Sequence, residues 1–272
     1  MRKGLYEILG QDKFIIGGVH LLALPGSTGY DDAGGMTKII DTAIEDALKV
    51  QKGGVDGILF ANESDMPYLQ SYGPEMVTGY ARVVAEVVRY LDIPFGINVL
   101  TDPVAAMAIA NATGGQFVRG YFTGTYVGDM PLMDSRGTEA IRLRHNLRAD
   151  HICIIANANC GIGVSIDTRD IGTRIRGAIM HTRIDAVSVS GAAAGFEARY
   201  SEVEDAVKAA GELPVVIGTG SNKDNIGKFL EIANGAIVAT ALREGGKTLA
   251  RVDSARVEEF MKAVDVARGK TK

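Results

Sequence analysis

LPVVIGTGS at residues 213–221 and NGAIVAT at residues 234–240 are the stretches that decide the fold. Each is a short β-branched apolar run that ends in small residues, and residues 225–231 between them have the pattern of a short helix. The order strand, glycine-rich turn, helix, strand is typical of two parallel strands whose carboxyl ends face the same way. Backbone N–H groups at glycines and at a helix N-terminus favour an anion. The two stretches therefore predict a phosphate-binding end of a parallel sheet.

Six further apolar runs precede this pair, at residues 14–22, 55–60, 95–100, 117–122, 151–156 and 185–190. Helical segments with one apolar face separate them. The runs are continuous rather than alternating, as in parallel strands that are buried on both faces. Eight strand–helix units in 272 residues predict an α/β protein, a (β/α)8 TIM barrel that forms a single domain over residues 1–272. A doubly wound open sheet is the alternative, and it is disfavoured because no G-x-G-x-x-G follows the first run.

Local signatures mark the start of two predicted helices. Asp102 followed by Pro103 predicts an N-cap with proline in the first turn. Ser201 and Glu204 have the spacing of a capping box before the helix that follows the sixth run. Both signatures predict where a helix begins.

Composition and charge exclude several classes of protein. A formal net charge of −4, with no basic run beyond Arg142, Arg144 and Arg148, argues against nucleic acid as a partner. No apolar run approaches the roughly 18 residues of a membrane span. Residues 1–7 lack a signal-peptide pattern, so we expect a cytoplasmic protein without an integral membrane segment. The two cysteines and four histidines are not at metal-ligand spacing, and we predict no metal and no cofactor.

Polar side chains converge on one mouth if the eight runs close into a barrel, because the carboxyl ends of parallel strands then meet there. Buried polar groups cost free energy unless they are bonded, so a ring of them indicates a ligand. We predict a catalytic set of His20, Asp65, Arg119 and Asn157, a substrate-binding set of Asn62, Asn98 and Ser190, and a phosphate-binding set of Gly191, Gly195, Gly218, Thr219, Gly220, Ser221, Ala239 and Thr240. The lysine nearest this face, Lys223, is expected to contact the phosphate.

Each of these residues also has a structural interpretation. His20 could be a core histidine bonded to a carbonyl oxygen. Arg119 lies in an apolar strand, where a guanidinium needs an anionic partner, so a salt bridge to Asp65 or Asp102 is the alternative to a ligand. The asparagines could bond to neighbouring backbone. The glycine-rich turn at residues 218–221 could be only a tight connection between strand and helix.

Several of these motifs resemble the BtpA/SgcQ family. They are GVHLLALPGS at residues 18–27, GGVDGI at 53–58, the exit at 62–67, GINVL at 96–100, FVR at 117–119, VSG at 189–191, and GTG at 218–220 with Asn225. The resemblance extends over most of the chain, from the first predicted strand to the last predicted helix. It implies a TIM barrel and no particular reaction.

The sequence departs from the family pattern at several strand exits. Ala61, Thr101, Asn157, Ala194 and Arg243 stand where the family tends to have Glu, Asn, Asp, Thr and Lys. The resemblance therefore implies that this chain lacks ionisable groups that its relatives carry at the mouth. It leaves the predicted anion site and the pair His20 and Arg119 in place.

Two functions from different classes fit this pattern. The first is an enzyme, a lyase, isomerase or transferase, that acts on a small phosphorylated metabolite such as a sugar or nucleotide phosphate. The loops after the seventh and eighth strands would hold the phosphate, His20 or Asp65 would move a proton, and Arg119 would stabilise developing negative charge. The second is a non-catalytic ligand-binding or assembly-assisting barrel, which the missing groups favour. A weaker third possibility is a flavin or nucleotide carrier.

The oligomeric state is a separate prediction. Apolar positions on outer helices such as 84–91 favour a homo-oligomer.

Overall fold

Eight parallel strands form a closed barrel in the computed structural model, which describes residues 4–130 and 132–270. The barrel strands are β1 (Phe14–His20), β2 (Gly57–Ala61), β3 (Phe95–Asn98), β4 (Phe117–Gly120), β7 (Cys153–Asn157), β9 (Ala186–Val189), β10 (Val215–Ile217) and β11 (Gly235–Val238). They neighbour one another in this order, and β11 pairs with β1. The closed sheet confirms the predicted (β/α)8 fold and excludes the open sheet.

A helix follows each barrel strand and packs on the outside of the sheet. These helices are α2 (Gly35–Lys52), α3 (Pro74–Val87), α4 (Pro103–Thr113), α5 (Gly137–Asn146), α6 (Ile171–Thr182), α7 (Tyr200–Ala210), α8 (Ile226–Ile232) and α9 (Ser254–Ala267). Their apolar stripes and the outward side chains of the strands form one continuous core. Val84 and Val87 belong to it and are fully buried. Val84 and Val87 therefore face the barrel, whereas Tyr90 in the same stretch is 54% exposed.

A second core fills the barrel interior. Alternate residues of each strand point inward, and Phe14, Ile16 and Phe117 are among those that meet there. A short helix that the sequence analysis did not predict, α1 (Leu5–Leu9), closes the amino-terminal end of the barrel by packing Leu5 and Leu9 on this core. A helix of five residues is too short to show a helical period in sequence.

The loops after β4 and β7 form a small antiparallel sheet of their own. It consists of β5 (Thr125–Gly128), β6 (Met133–Asp134) and β8 (Gly163–Ser165), with β5 in the middle. A small apolar cluster that includes Tyr121 and Tyr126 packs with it, and their rings lie 5.3 Å apart. The sequence pattern of residues 123–134 and 157–167 predicts long loops instead, because the strands are short and their apolar residues few.

One of the two predicted helix starts is confirmed and the other is wrong. Asp102 caps α4, and its carboxylate accepts the N–H groups of Val104 and Ala105. The predicted capping box at Ser201 does not form, because α7 begins at Tyr200 and its N-cap is Arg199, which makes no side-chain cap. The Ser–Glu spacing therefore lies within the helix rather than at its start.

Candidate active site

A cavity of about 290 Å3 opens at the carboxyl ends of the barrel strands. Twelve of the fifteen predicted site residues line it: His20, Asn98, Arg119, Asn157, Ser190, Gly195, Gly218, Thr219, Gly220, Ser221, Ala239 and Thr240. Of the predicted set, Asn62, Asp65 and Gly191 do not line this cavity. Strand exits far apart in the sequence thus meet at one mouth, as barrel closure requires.

Arg119 places a guanidinium inside the barrel with neutral partners only. Its Nε donates to Oδ1 of Asn157 at 3.0 Å and its Nη2 to Oγ of Ser190 at 3.1 Å. Among the residues that the structure describes, no carboxylate lies within ion-pairing distance of it. The alternative interpretation of Arg119, a salt bridge to Asp65 or Asp102, is therefore wrong. Burial lowers the pKa of Arg119, although the guanidinium keeps its charge at neutral pH.

Gly218 leaves space beside the guanidinium of Arg119, because it has no side chain. A Cβ at residue 218 would lie 2.4 Å from Oγ of both Ser188 and Ser190 and 2.8 Å from Nη2 of Arg119. A glycine at this position therefore allows the first residue after β10 to approach the inward-facing polar groups of β4 and β9. The glycine-rich turn and Arg119 belong to one site.

The turn after β10 presents unpaired hydrogen-bond donors. Within the described ranges, the N–H groups of Thr219, Gly220 and Ser221 donate to no protein group. Ser221 is 4% exposed, and its Oγ is buried without a hydrogen-bond partner. Gly220 has a φ of 77°, which a residue with a side chain rarely adopts. Consecutive free N–H groups beside a buried hydroxyl are what an anion requires.

A helix N-terminus and the side chain of Lys223 were expected to help this turn bind phosphate, and neither lies at it. Helix α8 begins only at Ile226 and spans seven residues, so its N-terminus does not form the turn. Lys223 pairs with Glu259 at 2.6 Å and does not line the cavity, which contradicts the expected phosphate contact. Gly191 lies behind the turn, where its N–H donates to Oγ1 of Thr219 at 2.7 Å.

His20 is a neutral imidazole with a fixed tautomer. Its Nδ1 lies 2.9 Å from the carbonyl oxygen of Thr248, which can only accept, so Nδ1 carries the hydrogen. The other ring nitrogen, Nε2, is then an acceptor. Burial and, to a smaller extent, the positive charge of Arg243 lower the pKa of His20 to about 3. His20 can therefore accept a hydrogen bond from a ligand but resists protonation.

Asn62 and Asp65 connect strand exits behind the cavity. The carboxylate of Asp65 accepts the N–H of Leu24 at 2.8 Å and Nδ2 of Asn62 at 3.2 Å. Oδ1 of Asn62 in turn accepts the N–H of Leu100 at 2.8 Å. Asp65 is 3% exposed. These bonds join the loops after β1, β2 and β3. Asn62 has the bond to neighbouring backbone that its structural interpretation expected, and Asp65 has a structural role other than the expected salt bridge to Arg119.

Glu63 is a cavity-lining carboxylic acid that the sequence analysis missed, and Tyr121, Asn222 and Arg256 are further polar lining residues that it did not predict. The carboxylate of Glu63 makes no hydrogen bond or ion pair anywhere in the described part of the chain. Burial raises the pKa of this carboxyl, and the positive charges of Arg119 and Arg243 offset only part of the rise. The signal was available in the alternation of the strand, because Leu59 and Ala61 also line the cavity and the next inward position is residue 63.

Arg243 acts on the site from outside it. Its guanidinium donates to the carbonyl oxygens of Ala250 and Gly18 at 2.6 Å and 3.2 Å, and it lies 3.8 Å from the carboxylate of Asp46. The residue is 1% exposed and does not line the cavity. Arg243 therefore acts on His20 and Glu63 through its charge rather than as a group within the cavity.

A second cavity lies outside the barrel, between α6 and the ends of β7 and β9. It measures about 220 Å3 and includes Asn157 of the predicted site residues. In the described residues no group of three or more His, Cys, Asp or Glu side chains is arranged to hold a metal ion. No helix in that part of the chain is both long and apolar enough to cross a membrane.

Comparisons with known proteins connect this geometry to a family. The sequence model of the BtpA family matches residues 11–266. The putative sgc region protein SgcQ of Escherichia coli K12 is 35% identical over 260 residues, which cover 96% of this chain and 97% of SgcQ. The photosystem I biogenesis protein BtpA of Synechocystis is 34% identical over 263 residues, which cover 96% of this chain and 91% of that protein.

Solved structures resemble the fold at much lower sequence identity. Phosphoribosylanthranilate isomerase from Thermotoga maritima superposes with a TM-score of 0.56 at 12% identity, over 94% of this chain and 99% of that one. At that identity the likeness supports the TIM-barrel fold alone.

Proposed function

This chain belongs to the BtpA family, and from that premise we propose that it is an enzyme acting on a small phosphorylated metabolite. The reaction would be that of a lyase, isomerase or transferase, and the substrate would lie in the mouth cavity. A volume of about 290 Å3 is near the lower end of ligand sites and suits a sugar phosphate better than a dinucleotide.

The observation that carries the proposal is the pairing of Arg119. A guanidinium inside a barrel is costly unless an anion compensates it. Its protein partners, Asn157 and Ser190, are neutral, and no described carboxylate pairs with it. A bound anion would supply the missing charge, and charge-assisted hydrogen bonds to it would contribute about 1.5–3 kcal/mol each.

The phosphate itself would sit on the loops after β10 and β11. The free N–H groups of residues 219–221 and the unpartnered Oγ of Ser221 support this placement. Gly195, Ala239 and Thr240 line the same part of the cavity without bulky side chains. The remainder of the substrate would extend toward Arg119, where Asn98, Asn157 and Ser190 offer polar groups and Nε2 of His20 accepts a hydrogen bond.

A paired ligand screen tests this function. Each sugar phosphate is compared with the same sugar without phosphate, and the melting temperature of the protein is measured. A ligand at 100 times its Kd stabilises the native state by about 2.7 kcal/mol, which corresponds to a rise of roughly 5 °C. Stabilisation by phosphorylated members alone would support the proposal. Equal stabilisation by both members, or by neither, would refute it.

A non-catalytic ligand-binding barrel is the second candidate. The family departures at Ala61, Asn157 and Ala194 all line the cavity, so the groups missing from this chain are missing from the site itself. This candidate predicts that phosphorylated ligands bind and are recovered unchanged. Conversion of any stabilising ligand, detected by NMR of the mixture, would favour the enzyme.

A further inference from the structure

Glu63 is the only carboxylic acid among the described residues that line the mouth cavity. It stands two residues after the end of β2, and the backbone carbonyl oxygen of Glu63 accepts the hydroxyl of Tyr68 at 3.0 Å. That bond fixes the backbone of the loop and leaves the carboxylate free. Removing a carboxylate from water without a hydrogen-bond partner is costly, so a half-buried, unpartnered Glu63 at the cavity wall requires an explanation.

The other titratable groups in the cavity are poorly suited to carry a proton. His20 has a pKa of about 3 and an Nδ1–H that is bound to the carbonyl of Thr248. Burial holds the pKa of the Tyr121 hydroxyl well above its usual value. Arg119 and Arg256 are guanidinium groups, which stay charged. Glu63 is the carboxylic acid in this lining, and burial raises its pKa.

We propose that Glu63 is the acid–base residue of this site, and that the substrate is a phosphorylated sugar with a carbonyl whose oxygen binds Arg119. This inference rests on the proposed function, because it assumes that a phosphorylated ligand occupies the mouth. It adds two points to that function. Glu63 transfers the proton, and the part of the substrate that reacts is a carbonyl group.

The proton transfer balances within the substrate and Glu63. The carboxylate takes a proton from the carbon next to the carbonyl, and the C–H electron pair moves through the new C=C bond to the carbonyl oxygen. The resulting oxyanion is stabilised by the Arg119 guanidinium. The proton of the hydroxyl on the carbon that lost its hydrogen moves to the oxygen of the former carbonyl, so that this first carbon becomes the new carbonyl. Glu63, now protonated, gives its proton to the former carbonyl carbon, which completes the isomerisation. No oxidant or further reactant is needed.

Several charged and polar groups face Glu63. The positive charges come from Arg119 on β4 and from Arg243 after β11, and both favour the carboxylate. Tyr68, in the same loop as Glu63, remains protonated, because burial and the charge of Glu63 raise its pKa well above its usual value. An anion bound at Arg119 would offset that positive charge. Binding should therefore raise the pKa of Glu63 further and draw a proton onto it.

Sulfate tests this coupling without a known substrate. It remains a dianion between pH 5 and 8, so any proton taken up on binding comes to the protein. Calorimetric titration in buffers of different ionisation enthalpy should show proton uptake by the wild type that peaks within this range. Glu63→Gln should remove most of that uptake and bind sulfate roughly threefold to tenfold tighter at pH 8, since the repelling carboxylate is gone. Glu212→Gln, which removes an exposed carboxylate, is the matched control.

The outcomes separate the two proposals. If sulfate binds with the same proton uptake in wild type and Glu63→Gln, the assignment of Glu63 is overturned while the anion site stands. If neither sulfate nor any phosphorylated compound binds, the proposed function fails and this inference fails with it. Uptake that depends on residue 63 supports the assignment.

Hydrogen exchange tests the carbon-acid step directly. The protein is incubated in D2O with dihydroxyacetone phosphate, ribulose 5-phosphate or fructose 6-phosphate, and loss of the C–H signal next to the carbonyl is followed by NMR. The wild type should catalyse exchange on at least one of these three compounds. The Glu63→Gln variant should catalyse the same exchange at least about 100-fold more slowly. Exchange that survives the substitution, or none with the wild type on all three, would overturn the assignment.

Discussion

Nε of Arg119 donates to Oδ1 of Asn157 across 3.0 Å, so a neutral amide holds a half-buried cation. The amide satisfies one donor of the guanidinium and leaves its charge without an ion-pair partner. The side chain is therefore positioned by its bonds to Asn157 and Ser190, while the remaining donors are available to a ligand.

Arg119→Met should weaken anion binding and leave the fold intact. The substitution keeps most of the apolar stem and removes the charged donors. Because such a hydrogen bond contributes about 1.5–3 kcal/mol, sulfate affinity should fall by on the order of 10- to 100-fold. The melting temperature without ligand should stay the same or rise, since an uncompensated charge is lost. Titration with sulfate and thermal unfolding measure both effects. The same substitution at exposed Arg176 is the control, and equal affinities of the Arg119 variant and wild type would contradict the prediction.

Asn157→Asp should have a different combination of effects. A carboxylate at the position of the amide would lie about one hydrogen bond from Arg119 and would neutralise it. The variant should melt at a higher temperature without ligand and bind sulfate at least about tenfold more weakly, because the new carboxylate competes with the anion. Circular dichroism and calorimetric titration report the two quantities. A variant that binds sulfate more tightly than the wild type would show that Arg119 does not contact the anion.

His20 should make stability depend on pH in the mildly acidic range. Its folded pKa of about 3 lies below the unfolded value near 6.5, so the unfolded state binds more protons at intermediate pH. Stability should therefore be lost as the pH falls below about 6.5, by on the order of 1 kcal/mol between pH 7.5 and 5.5. Urea unfolding of wild type and His20→Gln at both pH values isolates this contribution. Glutamine can still donate to Thr248, and an identical pH dependence in the two proteins would count against the prediction.

Barrel closure made much of the site predictable. The carboxyl ends of β1, β3, β4, β7, β9, β10 and β11 were located within a few residues, and these exits supply most of the lining. It was harder to predict which side chains point into the barrel, because that depends on whether a residue occupies an odd or an even position along its strand. At the exit of β2 the sequence analysis chose Asn62 and Asp65, whereas Leu59, Ala61 and Glu63 share the inward side. Continuing the alternation past the last buried residue would have selected Glu63.

The remaining errors arise where tertiary contacts determine structure. The pairing of β5 with β8 joins loops from two different barrel units, and no local pattern encodes it. Ser201 has the chemistry of an N-cap, but α7 begins one residue earlier and places Ser201 inside the helix. Propensity and spacing predict that a helix exists better than they predict where it begins.

The α1 helix provides a test of stability that is remote from the mouth. Leu9 is 5% exposed and packs on the apolar interior at the amino-terminal end of the barrel. Leu9→Ala should lower the free energy of unfolding by about 2–5 kcal/mol, because it removes buried methyl groups and leaves a void. Sulfate affinity should not change. Leu249→Ala removes the same atoms from a side chain that is 54% exposed and should cost less than about 0.5 kcal/mol. Equal costs in urea unfolding would mean that α1 does not close the barrel.

Asp65→Asn should separate the structural role of Asp65 from chemistry at the mouth. Oδ1 of Asn62 is committed to the N–H of Leu100, so its Nδ2 must face residue 65. With asparagine there, accepting the N–H of Leu24 turns the new amide nitrogen toward Nδ2 of Asn62, and two donors oppose each other. The variant should lose about 1–3 kcal/mol of stability while sulfate affinity stays within about threefold of wild type. Arg119→Met should show the opposite pattern when both are measured by urea unfolding and titration. A large loss of affinity with unchanged stability in Asp65→Asn would return Asp65 to the site and remove the grounds for assigning the proton transfer to Glu63.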